Sequence, residues 1–197
     1  MGFYPMEDAY TLNQPHTRFP SHTDRKLTPG VDLTTGSLGQ GASTAAGAAL
    51  GNKIDGRTNH VFCVVGDGEA DEGQVWEAFH FAYARKLDNL IYIIDNNGYQ
   101  LDGKTADILD HGDIARKAAG FGLYTQEIDG HDVEAIYQAI QNAYAKKGVP
   151  SCIVLDTIKG KGATFAEPKR EHSSQPSEEA WQEAIAAAEN ALQEVRK

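Results

Sequence analysis

Asp67 and Asn97 are the two residues of this 197-residue chain whose type and spacing most plainly suit chemistry. Asp67 sits in Gly66-Asp67-Gly68, directly after an apolar run from His60 to Val65. Asn97 sits in Asp95-Asn96-Asn97-Gly98, directly after a second apolar run from Leu90 to Ile94. Each run has the length and β-branched content of a buried parallel strand. Two neighbouring parallel strands would deliver Asp67 and Asn97 side by side to their carboxyl ends, where open α/β sheets bind ligands. An acid and an amide flanked by glycines there suit a hard cation that carries a phosphate group. Mg²⁺ accepts one or two protein oxygens and fills its other positions with phosphate, water or backbone carbonyl. Plainer readings compete: Asp67 can simply close a turn, and Asn97-Gly98 is also a hairpin dipeptide. The passage Lys86 to Leu90, from helix into strand, favours a crossover unit over a hairpin.

The elements that must position these residues follow from periodicity. Gly36 to Lys53 reads as a helix of small residues, able to pack closely against another backbone. After the strand His60 to Val65 comes an amphipathic helix from about Glu72 to Lys86, with Glu72 as a helix-start acid favoured by the dipole. The strand Leu90 to Ile94 leads to a short helix around Asp113 to Ala119, then to a strand from Leu123 to Ile128 and a turn at Asp129-Gly130. Asp132 caps a helix from Val133 to Lys146, closed by Gly148 and Pro150. Ser151 to Thr157 is the last strand, and Ser177 caps an Ala- and Glu-rich helix ending at Val195. This alternation predicts a doubly wound, mostly parallel α/β sheet with helices on both faces. Residues 1–30 are irregular, broken by Pro5, Pro15, Pro20 and Pro29. With no repeat and no low-complexity linker, residues 1–197 read as one domain.

The segment from Gly66 to Gly103 resembles the thiamine-diphosphate segment of transketolases. The likeness is carried by Gly66-Asp67-Gly68, Glu72-Gly73, Trp76-Glu77-Ala78, KLDNL at Lys86 to Leu90 and Asn96-Asn97, and by the run TTGSLGQG from Thr34 to Gly41. It extends from about Phe3 to His172. The GDG…NN spacing is shared by many thiamine-diphosphate enzymes, including the alpha subunits of pyruvate and branched-chain dehydrogenases. TTGSLGQG is not expected in those subunits. The resemblance implies a thiamine-diphosphate-binding fold with thiamine diphosphate and Mg²⁺ (or Ca²⁺ or Mn²⁺ in its place). It adds the backbone carbonyl of Tyr99 as a third metal ligand beside Asp67 and Asn97.

Cofactor contacts implied by the same resemblance are Gly36, Leu38, Gly68, Lys159 and His172, with Gly39 and Gly41 left as packing or turn glycines. Glu72 matches a glutamate at the dimer contact between two cofactors. His22 matches a histidine near the reacting carbon, although Ser21 and Thr23 replace its usual Gly and Pro flanks. His172 matches a histidine usually followed by Gly and a basic residue, where this chain has Ser173-Ser174. Read without the family, His22 is a surface-loop histidine, Lys159 an exposed loop lysine and His131 structural; His16, His60, His80 and His111 carry no signal.

The implied activity is transfer of a two-carbon ketol unit from a ketose phosphate to an aldose. In transketolases the carboxylate that activates the aminopyrimidine comes from a second, pyrimidine-binding domain, and this chain ends before one begins. The expectation is therefore the N-terminal subunit of a split transketolase, completed by a C-terminal partner chain and self-associating in a larger assembly. Family members also carry Ser-Gly-His-Pro-Gly-Gly and Lys-Gly-His motifs ahead of the Phe3 segment, and this chain starts after them. The alternatives are a noncatalytic remnant or regulatory module that keeps the fold, or a subunit of another thiamine-diphosphate enzyme.

Composition sets the outer bounds. A net charge of −10 with no basic stripe argues against nucleic acid. Cys63 and Cys152 fall inside apolar strand runs without metal-ligand spacing, and read as buried reduced thiols. The start, Met1 to Tyr10, has neither the charged nor the apolar part of a signal peptide. Met6 breaks the myristoylation pattern, and no apolar run reaches membrane-spanning length. These features fit a cytoplasmic protein without membrane or nucleic-acid partners.

Overall fold

Apolar runs spaced by amphipathic segments of helical length are satisfied by a parallel sheet with crossover helices, and the computed structural model has this form. It describes residues 2–169, 172–173 and 175–195. One helical turn, α1 (Met6–Ala9), lies in the otherwise irregular start, which leads to α2 (Gln40–Ile54). β1 (Val61–Gly66) passes through a 3-10 turn (Glu69–Asp71) into α3 (Gly73–Ala84). β2 (Leu90–Asn96) is followed by a small hairpin of β3 (Tyr99–Gln100) and β4 (Gly103–Lys104), then by α4 (Thr105–Ile108) and α5 (Ile114–Gly120). β5 (Tyr124–Asp129), α6 (Val133–Ala145), β6 (Ser151–Asp156) and α7 (Glu178–Val195) complete the chain.

The sheet order is β1-β2-β6-β5, with every pairing parallel. Gly66 lies opposite Asp95, and Asn96 opposite Asp156, so three strands finish level at one edge. Crossovers β1→β2 and β2→β5 run in one direction across the sheet, and β5→β6 runs back. Right-handed connections therefore place α3 and α5 on one face and α6 on the other. The packing agrees: α2, α3 and α5 cover Val65, Leu90, Tyr92, Ile94 and Val154. On the reverse face Ala139 and Ala143 of α6 cover Ile91 and Ile153. That second layer stops short of β1, whose Phe62 and Val64 are 44% and 67% exposed.

α2 buries only alanines, Ala42, Ala45, Ala46 and Ala49. The lack of bulk lets its backbone come close enough for the hydroxyl of buried Tyr92, on β2, to donate to Ala42 O at 3.1 Å. Its start differs from the expected Gly36. Gly39 has φ 79°, a left-handed conformation that interrupts helical propagation, so the helix begins at Gln40. The hairpin dipeptide at Asn97-Gly98 also has a role, though not in place of the crossover: β3 and β4 form just beyond it. Asp132 and Ser177 cap as expected, accepting from Glu134 N and Ala180 N. Among the described residues, no helix is long and apolar enough to cross a membrane.

Candidate functional site

At the carboxyl edge of the sheet, the loops after β1 and β2 close around a cavity of about 350 Å³. Asp67, Gly68, Asn97 and Tyr99 line it together with His22, Gly36 and Leu38 from earlier in the chain and Lys159 and His172 from later. Residues distributed over most of the chain are thus brought to one place. Of the expected site residues, only Glu72 is outside this lining. It is the exposed N-cap of α3, with no side-chain cap bond, and its Cβ packs beside Gly39 at the start of α2.

Asp67 is the chemical centre of the cavity. It is 1% exposed. Its Oδ2 accepts from Gly98 N at 2.8 Å and from the Thr105 hydroxyl at 3.0 Å, and its Oδ1 accepts from Gly68 N at 2.9 Å. All three donors are neutral, and no ion pair of Asp67 exists among the described residues. A carboxylate acceptor has two sites per oxygen, so Oδ1 keeps one open. Asn97 donates through Nδ2 to Asp95 Oδ2 at 3.0 Å, and its Oδ1 accepts from Tyr99 N at 3.0 Å, again leaving one acceptor site. A buried acid without a cationic partner is expensive, and here it faces a cavity beside an amide oxygen. Among the described residues no three His, Cys, Asp or Glu side chains converge. The donor set therefore suits a cation that takes amide and carbonyl oxygens and brings anionic ligands with it.

The glycines divide by role. A Cβ on Gly36 would lie 2.3 Å from Cδ2 of His22, so the missing side chain lets the histidine pack against this loop at the cavity. A Cβ on Gly68 would lie 2.5 Å from Cβ of Gln100, and the missing side chain lets the β1 loop pack against β3. Gly41, expected to serve packing or a turn, has open space where a Cβ would be. The helix is already under way there, with the left-handed turn made by Gly39.

Several residues that shape the site carry no sequence signal of their own. Glu69 staples two loops, its Oε1 accepting from Gly39 N at 2.9 Å and its Oε2 from Gly66 N at 3.2 Å. In the sequence it is one of several acids before a helix. His131, structural as expected, accepts through Nε2 from Ile158 N at 2.8 Å, one residue before Lys159. Past Leu101 the cavity continues into a second of about 350 Å³, where Lys169 and Ser173 join His172. Ser174 falls outside the described residues. Neither thiol belongs to this chemistry: burial, then the charge of Glu69, pushes Cys63 up to about 11, and burial pushes Cys152 up to about 12.

Comparison with known proteins agrees with this geometry. Residues 1–186 match the family described as transketolase, thiamine diphosphate binding domain. The chain is 47% identical over 189 residues to the 6-deoxy-6-sulfo-D-fructose transketolase subunit SqwG of Clostridium sp. (strain MSTE9), covering 95% of this chain and 69% of that one. It is 36% identical over 170 residues to an apulose-4-phosphate transketolase subunit of Actinobacillus succinogenes, covering 86% and 61%. The crystal structure of transketolase from Campylobacter jejuni superposes with a TM-score of 0.85 at 31% identity, over 92% of this chain but 30% of that one. The chain thus spans about two thirds of the length of relatives named as subunits and under a third of that transketolase. By its match over nearly its whole length and by its sheet edge carrying Asp67 and Asn97, the chain belongs to the transketolase family, within the thiamine diphosphate binding domain.

Proposed function

We propose that this chain is the cofactor-anchoring, N-terminal subunit of a two-chain transketolase. With a partner chain carrying the pyrimidine-binding domain, it transfers a two-carbon ketol unit from a ketose phosphate to an aldose. The observation that carries the reading is Asp67, a carboxylate whose donors among the described residues are neutral, buried in the wall of a cavity lined by Asn97, Tyr99, Lys159 and His172. Asp67, Asn97 and the Tyr99 carbonyl hold Mg²⁺, or Ca²⁺ or Mn²⁺ in its place. When bound, thiamine diphosphate supplies the nucleophilic carbon that accepts and passes on the two-carbon unit. Lys159 offsets diphosphate charge, Gly36, Leu38 and Gly68 shape the wall against the cofactor, and His22 and His172 exchange protons with substrate oxygens. Glu72, outside the cavity beside the start of α2, belongs to the contact between assembled chains and reaches the cofactor only there.

The two relatives named as subunits carry the names of substrates ending in a sulfonate and a phosphate. We extend that class, a sugar with a terminal tetrahedral oxyanion, to this chain. A cytoplasmic location fits two unpaired, buried cysteines. The residues act as one unit of 1–197, with the irregular first thirty contributing His22. The reading is tested by Asp67→Ala in titration calorimetry with Mg²⁺ and thiamine diphosphate, partner chain present. Removing a carboxylate ligand should weaken binding by at least about tenfold. Equal affinities would reject the assignment.

A further inference from the structure

We infer that Asp95 sets the orientation of Asn97 and locks the cation-side loop to the loop that presents Lys159. The inference rests on the cation reading above and concerns a residue that does not line the cavity. An amide side chain has two ends of nearly equal shape, and only the oxygen end can bind a cation. Asp95 faces one end with a carboxylate, which only accepts, so Nδ2 of Asn97 must point to it, at 3.0 Å. Tyr99 faces the other end with a backbone N–H, which only donates, so Oδ1 must point there, at 3.0 Å. The two constraints agree, and together they fix which end of the amide is the oxygen end in a residue that lines the cavity with Asp67. Without Asp95 one constraint remains, and the Asn97 NH₂ group loses its partner.

The second oxygen of Asp95 does separate work. Oδ1 accepts a hydrogen bond from the hydroxyl of Thr157, which lies two residues before Lys159. Thr157 N donates to Asn96 O at 3.2 Å, and Asn96 Nδ2 donates to Asp156 Oδ1 at 2.8 Å. The ends of β2 and β6 are thereby zipped together beyond their ladder, with the Asp95 side chain bonded to both Asn97 and Thr157. Gly130 permits this from the other side, since a Cβ there would lie 2.4 Å from Thr157 Cγ2. Asp95 is thus a positioning residue, acting through Asn97 on one side and through Thr157 on the other.

The test uses the full chain labelled with ¹⁵N. Without any cation, the Asn97 side-chain amide should give a resolved, slowly exchanging pair of signals in wild type and in Asp95→Asn. The new amide can still accept from Asn97 Nδ2 while its own NH₂ turns to the Thr157 hydroxyl. In Asp95→Leu the pair should exchange like an exposed amide. Mn²⁺ with inorganic pyrophosphate is then titrated and its affinity read from paramagnetic broadening. Asp95→Leu should lose about tenfold and Thr157→Val about threefold, with Asp95→Asn within about twofold of wild type. Thr157 touches neither cation nor cavity, so its loss reads the coupling alone, and it carries the test if Asp95→Leu fails to fold. Full affinity in a folded Asp95→Leu overturns the inference, and full affinity in Thr157→Val overturns the coupling. Absence of broadening at Asp67 and Asn97 in wild type would instead sink the cation reading itself, which the cation-free Asn97 signals distinguish.

Discussion

At the scale of single residues, the molecule separates groups that are buried for packing from one that is buried for charge. Cys63 and Cys152 are of the first kind: both lie under the sheet's covered face, and their thiols are pushed up to about 11 and about 12 by burial. The thiolate is the reactive form, so at about pH 8 neither should react with an aromatic disulfide reagent in the native state. Both should react on unfolding in guanidinium, and rapid labelling of the native chain would refute the packing. Asp67 is of the second kind, and its type and setting made it visible in the sequence. An acid between glycines at the end of an apolar run has few structural reasons to be there. Glu69, Asp95 and Thr105 were not visible, and the reason is physical. Their partners Gly39, Thr157 and Asp67 lie 30, 62 and 38 positions away in the chain. No local period records a hydrogen bond that only the folded topology brings about.

At the scale of elements, strands and helices were legible because burial imposes their periods, whereas their ends were set by single backbone conformations. α2 starts at Gln40 because of the left-handed Gly39, and α3 is followed by Lys86 at φ 52°. The β3–β4 hairpin has two residues per strand, too few for an alternating pattern to show. α2 itself was readable as a helix of small residues, and the structure shows what the smallness is for. Ala46 is 2% exposed and packs in the same cluster as Tyr92 and Ala42. Ala46→Leu would insert bulk where the helix lies against the sheet, and overpacking of this kind costs about 1–3 kcal/mol. The shift would also draw Ala42 O away from the Tyr92 hydroxyl. Urea denaturation should show the loss with an unchanged slope. A variant as stable as wild type would mean that the helix is not held at this distance by its alanines.

At the scale of the whole molecule, the two edges of the sheet have different duties. The strand order β1-β2-β6-β5 could not be read from alternation, since periodicity reports that strands exist but not which lie together. The carboxyl edge gathers the cavity, and the amino edge gathers bonds that hold the layers in place. There Asp88, just before β2, accepts from Lys53 Nζ of α2 at 2.6 Å and from Gly148 N, just before β6, at 2.8 Å. Lys53 Nζ also donates to Lys86 O at 2.8 Å. Burial by itself would raise Asp88. The Lys53 and Gly148 hydrogen bonds, with the charges of Lys53 and Lys147, outweigh it and hold the carboxyl below its ordinary 3.8. A carboxyl lowered in the folded state adds stability that is present in full above its unfolded value and is lost as pH falls through the folded one. Both partners are partly exposed, at 35% and 23% of their side chains, so screening keeps the contribution to about 1 kcal/mol. Asp88→Asn should therefore be less stable than wild type by about that amount near pH 7. The gap should close as pH falls below 3.8. Because Asp88 lies across the sheet from Asp67, the variant should keep wild-type affinity for Mn²⁺ with pyrophosphate. Chemical denaturation of both proteins across the acid range decides the matter. A gap that stays constant from neutral to strongly acid pH would show that Asp88 acts by shape rather than by charge.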